Sequence, residues 1–573
     1  MFISPWRRGG PAPRQAPQAR RRLALQCVTL AGLAAAALAL GGAPAPGPAP
    51  EPLLPKSQRG GIHCAVTTHS RQAQDYFDPG LMFCYGFDHE EAIRAFQAAL
   101  RADSTCAMAY WGIAWASGPN INIPFMDDNQ SQLAAANVAR AATYAAGAKP
   151  VEAALVAALT TRYAWPAPAD RRPLDVAFAN AMRQVYEQFP ADPTVAAVFA
   201  EALMDLRPWD LWSATGQPRP ETPEIVAVLK KLRAAHPDHA GAMHLYIHTM
   251  EASPAPERAL AAANALRGRV PGSGHLIHMP SHIDIRLGRY KEAIAANLRG
   301  IGIDRERVRR AGPGVPYAVY RAHNFHFIAY AAMFDGQHAL AMQAARDLRA
   351  EVPIDIVRMI PDFLDAFWAM PYHVEARFGA WDDILAEPPP AADLHVTTAF
   401  WHYARGLAFA ARGEVPQAVA ERDSFAQALA RVPASASAGN NTARTVLGIG
   451  RSMLEGEVEY RRGNYDAAFA ALRTAVAADD SLRYDEPWGW PQPVRHALGA
   501  LLLEQGRVAE AEAVYRTDLE RHPGNGWALH GLSECLRRAG RSAEAKQVAA
   551  RFAAAWTRSD TPIQASCFCR RKV

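Results

Sequence analysis

Cysteine is scarce. The 573 residues contain 7, and one of these, Cys27, sits in the apolar leader. The other six follow no zinc-finger spacing, which removes a cysteine-built zinc module as the organising feature. Their even number fits a compartment that permits disulfides. Cys64–Cys84 is a possible bridge, and Cys567 and Cys569 lie close together in a basic tail. Cys84 and Cys106 sit among apolar neighbours and read as small buried hydrophobes.

Strand-forming runs of Val, Ile and Thr are also scarce, so little sheet is expected. A charge excess is missing once the leader is set aside. Residues 1–45 hold Arg7, Arg8, Arg14, Arg20, Arg21 and Arg22 and no acid; the rest carries 55 basic against 56 acidic side chains, a net charge of −1. That balance gives no electrostatic argument for nucleic acid or anionic lipid. A hydrolase elbow, a phosphate loop, a dinucleotide fingerprint and an HExxH motif are all missing, so none of those chemistries is indicated.

What the chain has is alanine, with apolar positions three and four residues apart, the signature of helix. Four segments share one design: "HEEAIRAFQAALRAD" (89–103), "YKEAIAANLRGI" (290–301), "YDAAFAALRTAVAAD" (465–479) and "RVAEAEAVYRTDLERHP" (507–523). "AMAYWGIAWASG" (107–118) and "GWALHGLSECLRRAG" (526–540) supply a partner type, an aromatic followed by glycine and a closing turn. The alternation resembles tetratricopeptide repeats across much of residues 75–560. The resemblance implies an all-α, right-handed α-solenoid of helical hairpins, stacked because one hairpin cannot bury its own apolar face. Pro-rich breaks at 164–173, 207–223 and 386–395 read as loops in one array, since helical pattern resumes after each.

The expected organisation is an export leader (1–45), an N-terminal extension (46–74), N-terminal repeats (75–240), His-rich repeats (241–345), C-terminal repeats (346–560) and a basic tail (561–573). The leader "RRRLALQCVTLAGLAAAALALGG" runs from basic to apolar and ends in small residues, with an Ala-x-Ala site closing at Ala39. It predicts an exported protein, periplasmic or anchored through the leader. No later segment is apolar enough to span a membrane.

Histidine carries the strongest bias. Nine of 19 fall between residues 236 and 326. "MHLYIHTME" holds His244, His248 and Glu251; "GHLIHMPSHI" holds His275, His278 and His282; "AHNFHF" holds His323 and His326. Spacings of three and four keep each group on one helical face. The groups lie near whole or half repeat lengths apart, so a solenoid would bring the three faces into one stretch of concave groove. Imidazole with a carboxylate is a familiar shell for a divalent transition metal, here zinc, copper or iron. Met250 and Met279 lean slightly toward copper. All eight residues are candidate ligands, with His248, His278, His282 and His326 innermost and His275 peripheral. If the centre is catalytic, the metal would polarise an oxygen or activate water or dioxygen, with Glu251 as ligand or base. Pro280 fits a helix starting near Leu276 or Ile277. His236, His239, His338, His522 and His530 read as solvated.

A second polar cluster, "YDEPWGWPQPVRH" (484–496) with "NGWALHG" (525–531), places Glu486, Arg495 and Trp527 as a candidate ligand surface. Packing with Arg495 paired to Glu486 is the structural alternative. Asn120, in "WASGPNINIPFM", is a further candidate ligand contact or helix cap.

"GHLIHMPSHIDIRLGRYKEAI" with "AHNFHF", "AMAYWGIAWASGPNIN" and "YDEPWGWPQPVRHALGALL" resemble a group of bacterial tetratricopeptide-repeat proteins. That likeness implies fold and kinship and assigns no biochemical role. Two functions follow as expectations. One is an extracytoplasmic binding protein with a histidine metal centre, an enzyme in its stronger form. The other is a metal-free scaffold for a protein or peptide in the groove. A small molecule near the metal is the further partner class.

Overall fold

The structure, a computed structural model, describes residues 54–311 and 315–571; the leader and the readings made on it lie outside these. The described residues are helical from Arg71 to Ala555, and their sheet is one pair of two-residue strands, Ser437–Ala438 with Asn441–Thr442. The protein is an all-α solenoid of tetratricopeptide-like hairpins. Among the described residues no helix is long and apolar enough to cross a membrane.

Local chemistry marks the helix ends. Ser70 accepts from the Ala73 amide, Asp192 from that of Val195 and Asn525 from that of Ala528, each satisfying an orphan donor of a first turn. Asp127 and Gln130 form a reciprocal capping box on Asp128–Tyr144. Gly379 and Gly413 close their helices in the left-handed conformation. The Pro-rich breaks are loops or run into the following helix, as at Arg172–Gln188.

Hairpins pack by seating an aromatic ring between two glycines. Phe96 lies against Gly80 and Gly112, where an added Cβ would come within 2.6 Å of the ring. Tyr515 sits in the same way between Gly499 and Gly531. In both the aromatic lies midway between its glycines, at identical sequence spacing. The two ends of the array therefore use one packing solution.

The apolar interior forms three cores, spanning residues 54–283, residues 285–394 with Trp527, and residues 369–569. The C-terminal repeats also fold back on the middle of the chain. Trp527 Nε1 donates to the Met333 carbonyl at 2.8 Å, Tyr290 Oη to that of Pro523 at 3.2 Å, and Arg558 pairs with Asp335 at 2.5 Å. This closure was not readable from repeat spacing, and it roofs the histidine helices with the 484–486 loop.

The tail is not a loose basic end. Asp560 caps the helix beginning at His338, the Tyr515 and Ser566 hydroxyls are 2.6 Å apart, and Arg570 forks onto Glu534. Cys567 and Cys569 are joined as a disulfide. The possible Cys64–Cys84 bridge is not formed, since both thiols are free. Solvation of the outlying histidines also needs correction. His239 caps Ala240–Glu251 and packs on Tyr85, and His522 packs on Phe334.

Candidate metal centre

Three helical pieces carry the histidines, at the junction of the first two cores. Ala240–Glu251 presents His244, His248 and Glu251. The second piece starts earlier than the proline suggested. Ser273 accepts from the Leu276 amide, so Gly274–His278 is already helical, and Pro280 opens a second segment to Arg286. Met279 between them keeps helical dihedrals, so His275, His278 and His282 still share a face. Val315–Asp335 brings His323 and His326.

Six imidazoles form two sets. His244, His248 and His275 offer ligand atoms within 4.8 Å of one another, and so do His278, His282 and His323. The nitrogen facing inward is fixed by what holds the other one. His244 Nδ1 donates to the Tyr85 carbonyl at 2.6 Å, and His248 Nδ1 to Glu251 Oε1 at 2.7 Å. His282 Nδ1 donates to Glu251 Oε2 at 2.5 Å. His278 Nδ1 donates to Asn297 Oδ1 at 2.6 Å; Asn297 is oriented by its own amide, which donates to the Ala293 carbonyl. A ring whose Nδ1 carries the proton presents a lone pair at Nε2. These four rings therefore direct Nε2 lone pairs inward.

Those lone pairs meet each other. His278 Nε2 and His282 Nε2 are 2.7 Å apart, and His244 Nε2 and His275 Nε2 are 3.1 Å apart. His248 Nε2 is buried with no hydrogen-bond partner. His275 can carry its proton on Nε2 and donate to His244; at His278 and His282, whose Nδ1 atoms both hold protons, two lone pairs would need a cation between or beside them. A proton can serve at one pair. Burial disfavours charge on His282, but Glu486 and Glu251 outweigh it and push its pKa up to about 10. Burial and neighbouring rings hold His244, His275, His278 and His323 well below the ordinary imidazole value. Burial also lowers His248, to about 3, against the pull of Glu486. Neutral imidazole is the metal-binding form.

Glu251 belongs to a further group of possible ligands, with His248, His282 and Glu486. Both of its oxygens are taken, by His248 on one side and by His282 and the Tyr484 hydroxyl (3.1 Å) on the other. Such a carboxylate orients ligands and raises their basicity. Arg286 Nη1 donates to the Glu251 carbonyl at 2.6 Å and fixes the backbone beneath.

Glu486 belongs here and not with Arg495. Its Oε1 lies 2.9 Å from His282 Nδ1 and 3.7 Å from His248 Nδ1, and its Oε2 lies 3.7 Å from His323 Nε2. Burial and the neighbouring Glu251 push its pKa up to about 7 against the pull of His282. Arg495 instead forks onto Asp480 at 2.7 and 2.6 Å. Trp527 is a core residue, 0% exposed, with the Arg377 guanidinium over its ring. Asn120 holds a turn, its Oδ1 accepting from the amides of Asn122 and Ile123. The Glu486, Arg495 and Trp527 surface is therefore dispersed. His326 stands outside both sets, with its ring against Phe367.

The centre is an interior one, not an open stretch of groove. His244, His248, Glu251, His278 and His282 are at most 3% exposed; His275 and His323 are the partly exposed members. Aromatic rings close it. Among the described residues, the two non-glycine positions with left-handed backbone are Phe87 (φ 52°) and Trp209 (φ 58°). Both pack on the histidines, Phe87 at 4.5 Å from His244 and Trp209 at 5.4 Å from His248. That conformation is costly for a bulky side chain, and strain of this kind concentrates at functional sites. No feature of the sequence marks either residue. Tyr484, Asn297 and Tyr320, which packs on His275 at 5.1 Å, also escaped the spacing argument. Tyr484 lies beside Glu486 in the quoted loop.

Residues 502–555 match the tetratricopeptide-repeat family model. No curated protein matches the chain. Solved structures with some likeness include the human IFIT1 dimer with m7Gppp-AAAA (10% identity, 85% of this chain and 90% of that one, TM-score 0.30). Others are yeast Tom70 (12%, 84% and 91%, 0.27) and the APC/C hetero-tetramer Cut9–Hcn1 (14%, 90% and 83%, 0.29). Superpositions this loose place no residue of this chain onto a residue of theirs.

Proposed function

We propose that the chain is an exported tetratricopeptide-repeat protein that binds a transition metal through its buried histidines. One observation carries this reading. Hydrogen bonds fix Nδ1–H on four rings, so their Nε2 atoms face inward toward other imidazoles, and His248 Nε2 has no partner. A histidine cluster kept only for packing would give each Nδ1–H an acceptor and each Nε2 a hydrogen-bond donor. The donor set is nitrogen-rich and contains no thiolate, which suits zinc, copper or iron. Export rests on the leader sequence alone.

If the centre is catalytic, Glu486 is the carboxylate available to move a proton. Its Oε1 faces His282 Nδ1 at 2.9 Å, but that N–H is already given to Glu251, and its pKa is pushed up to about 7, whereas Glu251 is committed on both oxygens. A small molecule would then enter beside His275 or His323. Scaffolding of a protein or peptide is the second reading, supported by the repeat match at 502–555 and compatible with the first.

The test is elemental analysis of the purified chain after dialysis, with and without prior loading. At least one zinc, copper or iron per chain, and a lower content in His282→Ala with far-UV dichroism unchanged, is the expected result. Absence of any bound ion after loading would leave the scaffold reading alone.

A further inference from the structure

We infer that the centre is dinuclear: His244, His248 and His275 hold one transition-metal ion, His278, His282 and His323 hold a second, and Glu251 positions both sets. This rests on the metal reading above and adds the count, the partition of ligands and the coupling.

The partition comes from geometry. Within the described residues the six rings fall into two three-histidine sets with no member in common. Three nitrogens leave room on each ion for an exogenous ligand, as in open sites built from three histidines. A single ion cannot use six imidazoles when its ordinary shell takes three or four. The sets are also neighbours, with the His248 and His282 rings 5.5 Å apart and those of His275 and His278 5.8 Å apart. Ions in adjoining sets are close enough to share one bridging ligand.

The third grouping, His248 and His282 with Glu251 and Glu486, is the strut between the sets and not another site. Its short contacts use the Nδ1 atoms, and each Nδ1–H already points at a carboxylate oxygen. One carboxylate thus orients one histidine of each set, Oε1 for the first and Oε2 for the second. Filling either set fixes a ring that holds Glu251, and Glu251 holds a ring of the other set. The two buried carboxylates also offset charge that two cations would bring into the interior.

Zn2+ titration of the full chain, followed by calorimetry and elemental analysis, should give two ions per chain. His275→Ala and His323→Ala alter the two partly exposed ligands, one in each set. Each should weaken one binding step by at least tenfold and leave the other within about threefold, the loss a missing ligand or orienting partner brings. Glu251→Gln, which cannot accept from both Nδ1–H groups, should weaken both steps. With two equivalents of Cu2+, electron paramagnetic resonance should show a coupled pair, by a half-field transition or loss of integrated signal. One ion per chain in the unaltered protein would overturn the inference and leave the metal reading standing; none would sink both. Loss of the same step in His275→Ala and His323→Ala, or two magnetically isolated copper ions, would also overturn it.

Discussion

The histidine centre and the C-terminal repeats both bury histidine, and they do so differently. In the C-terminal repeats His496 Nε2 meets Asp518 Oδ2 at 2.8 Å, and the same oxygen accepts from Asn525 at 2.8 Å. One ring faces one carboxylate, and His496 holds the Asp518 carboxyl well below its ordinary value against the effect of burial. All three residues lie within adjoining helices. In the centre, rings face rings, and Glu251 lies behind His248 and His282 on the Nδ1 side. A ring with a carboxylate to accept its N–H is architecture. A cluster whose Nε2 atoms face one another is what the proposed ions would complete.

The largest expected effect breaks the architectural side. Asp518→Ala leaves a buried imidazole without its acceptor and the Asn525 amide with only the His522 carbonyl, and should cost about 3–5 kcal/mol in urea unfolding. Metal content should not change. An Asp518→Ala protein that is stable but metal-free would erase the distinction between the two regions.

Removal of metal comes next. A ligand that binds only the folded chain at a hundred times its Kd adds about 2.7 kcal/mol. Chelation should therefore lower the melting temperature of the unaltered protein, and lower that of His282→Ala, which keeps the His244, His248 and His275 set, by less. Equal melting curves with and without chelator would count against the centre as a ligand site.

Tyr484→Phe sharpens the comparison across the fold-back. It deletes the hydroxyl that donates to Glu251 and should cost about 1.5 kcal/mol, the low end for a hydrogen bond to a charged group. It should also weaken metal binding about tenfold, as loss of an orienting partner does. Unchanged affinity would mean that the C-terminal roof does not tune the centre.

The smallest effect lies in neither region and calibrates the acid limb. Burial raises the Asp103 carboxyl, but hydrogen bonds from Thr68, Thr105 and His69 outweigh it and bring its pKa to about 2. A depressed carboxylate stabilises above its unfolded pKa of about 3.9, and the contribution disappears as pH falls through 2. Because the group is largely exposed, screening reduces the contribution to about 1 kcal/mol. Asp103→Asn should lower stability at pH 7 by that amount and not at pH 2. A difference that persists at pH 2 would contradict the assignment.

The sequence carried the helices and most of the ligands, for a common reason. Both depend on spacing within ten or so residues: apolar positions three and four apart, and His244/His248 or His278/His282 one turn apart. The failures are long-range. Glu486 was grouped with Arg495 because they are nine residues apart, whereas its partners His248 and His282 lie more than two hundred residues away. Trp527 reads as a recognition residue until the fold-back supplies Met333 and Arg377 to cover it. Phe87 and Trp209 owe their roles to backbone conformation, which composition does not encode. His326 shares a helical face with His323, yet the packing turns it toward Phe367.

X-ray absorption at the metal edge of the loaded chain tests the central claim most directly. The account predicts a first shell of nitrogen at about 2.0–2.1 Å for zinc, with the outer-shell scattering of at least three imidazoles per ion. A first shell of oxygen alone, or a chain that retains no ion to measure, would contradict it.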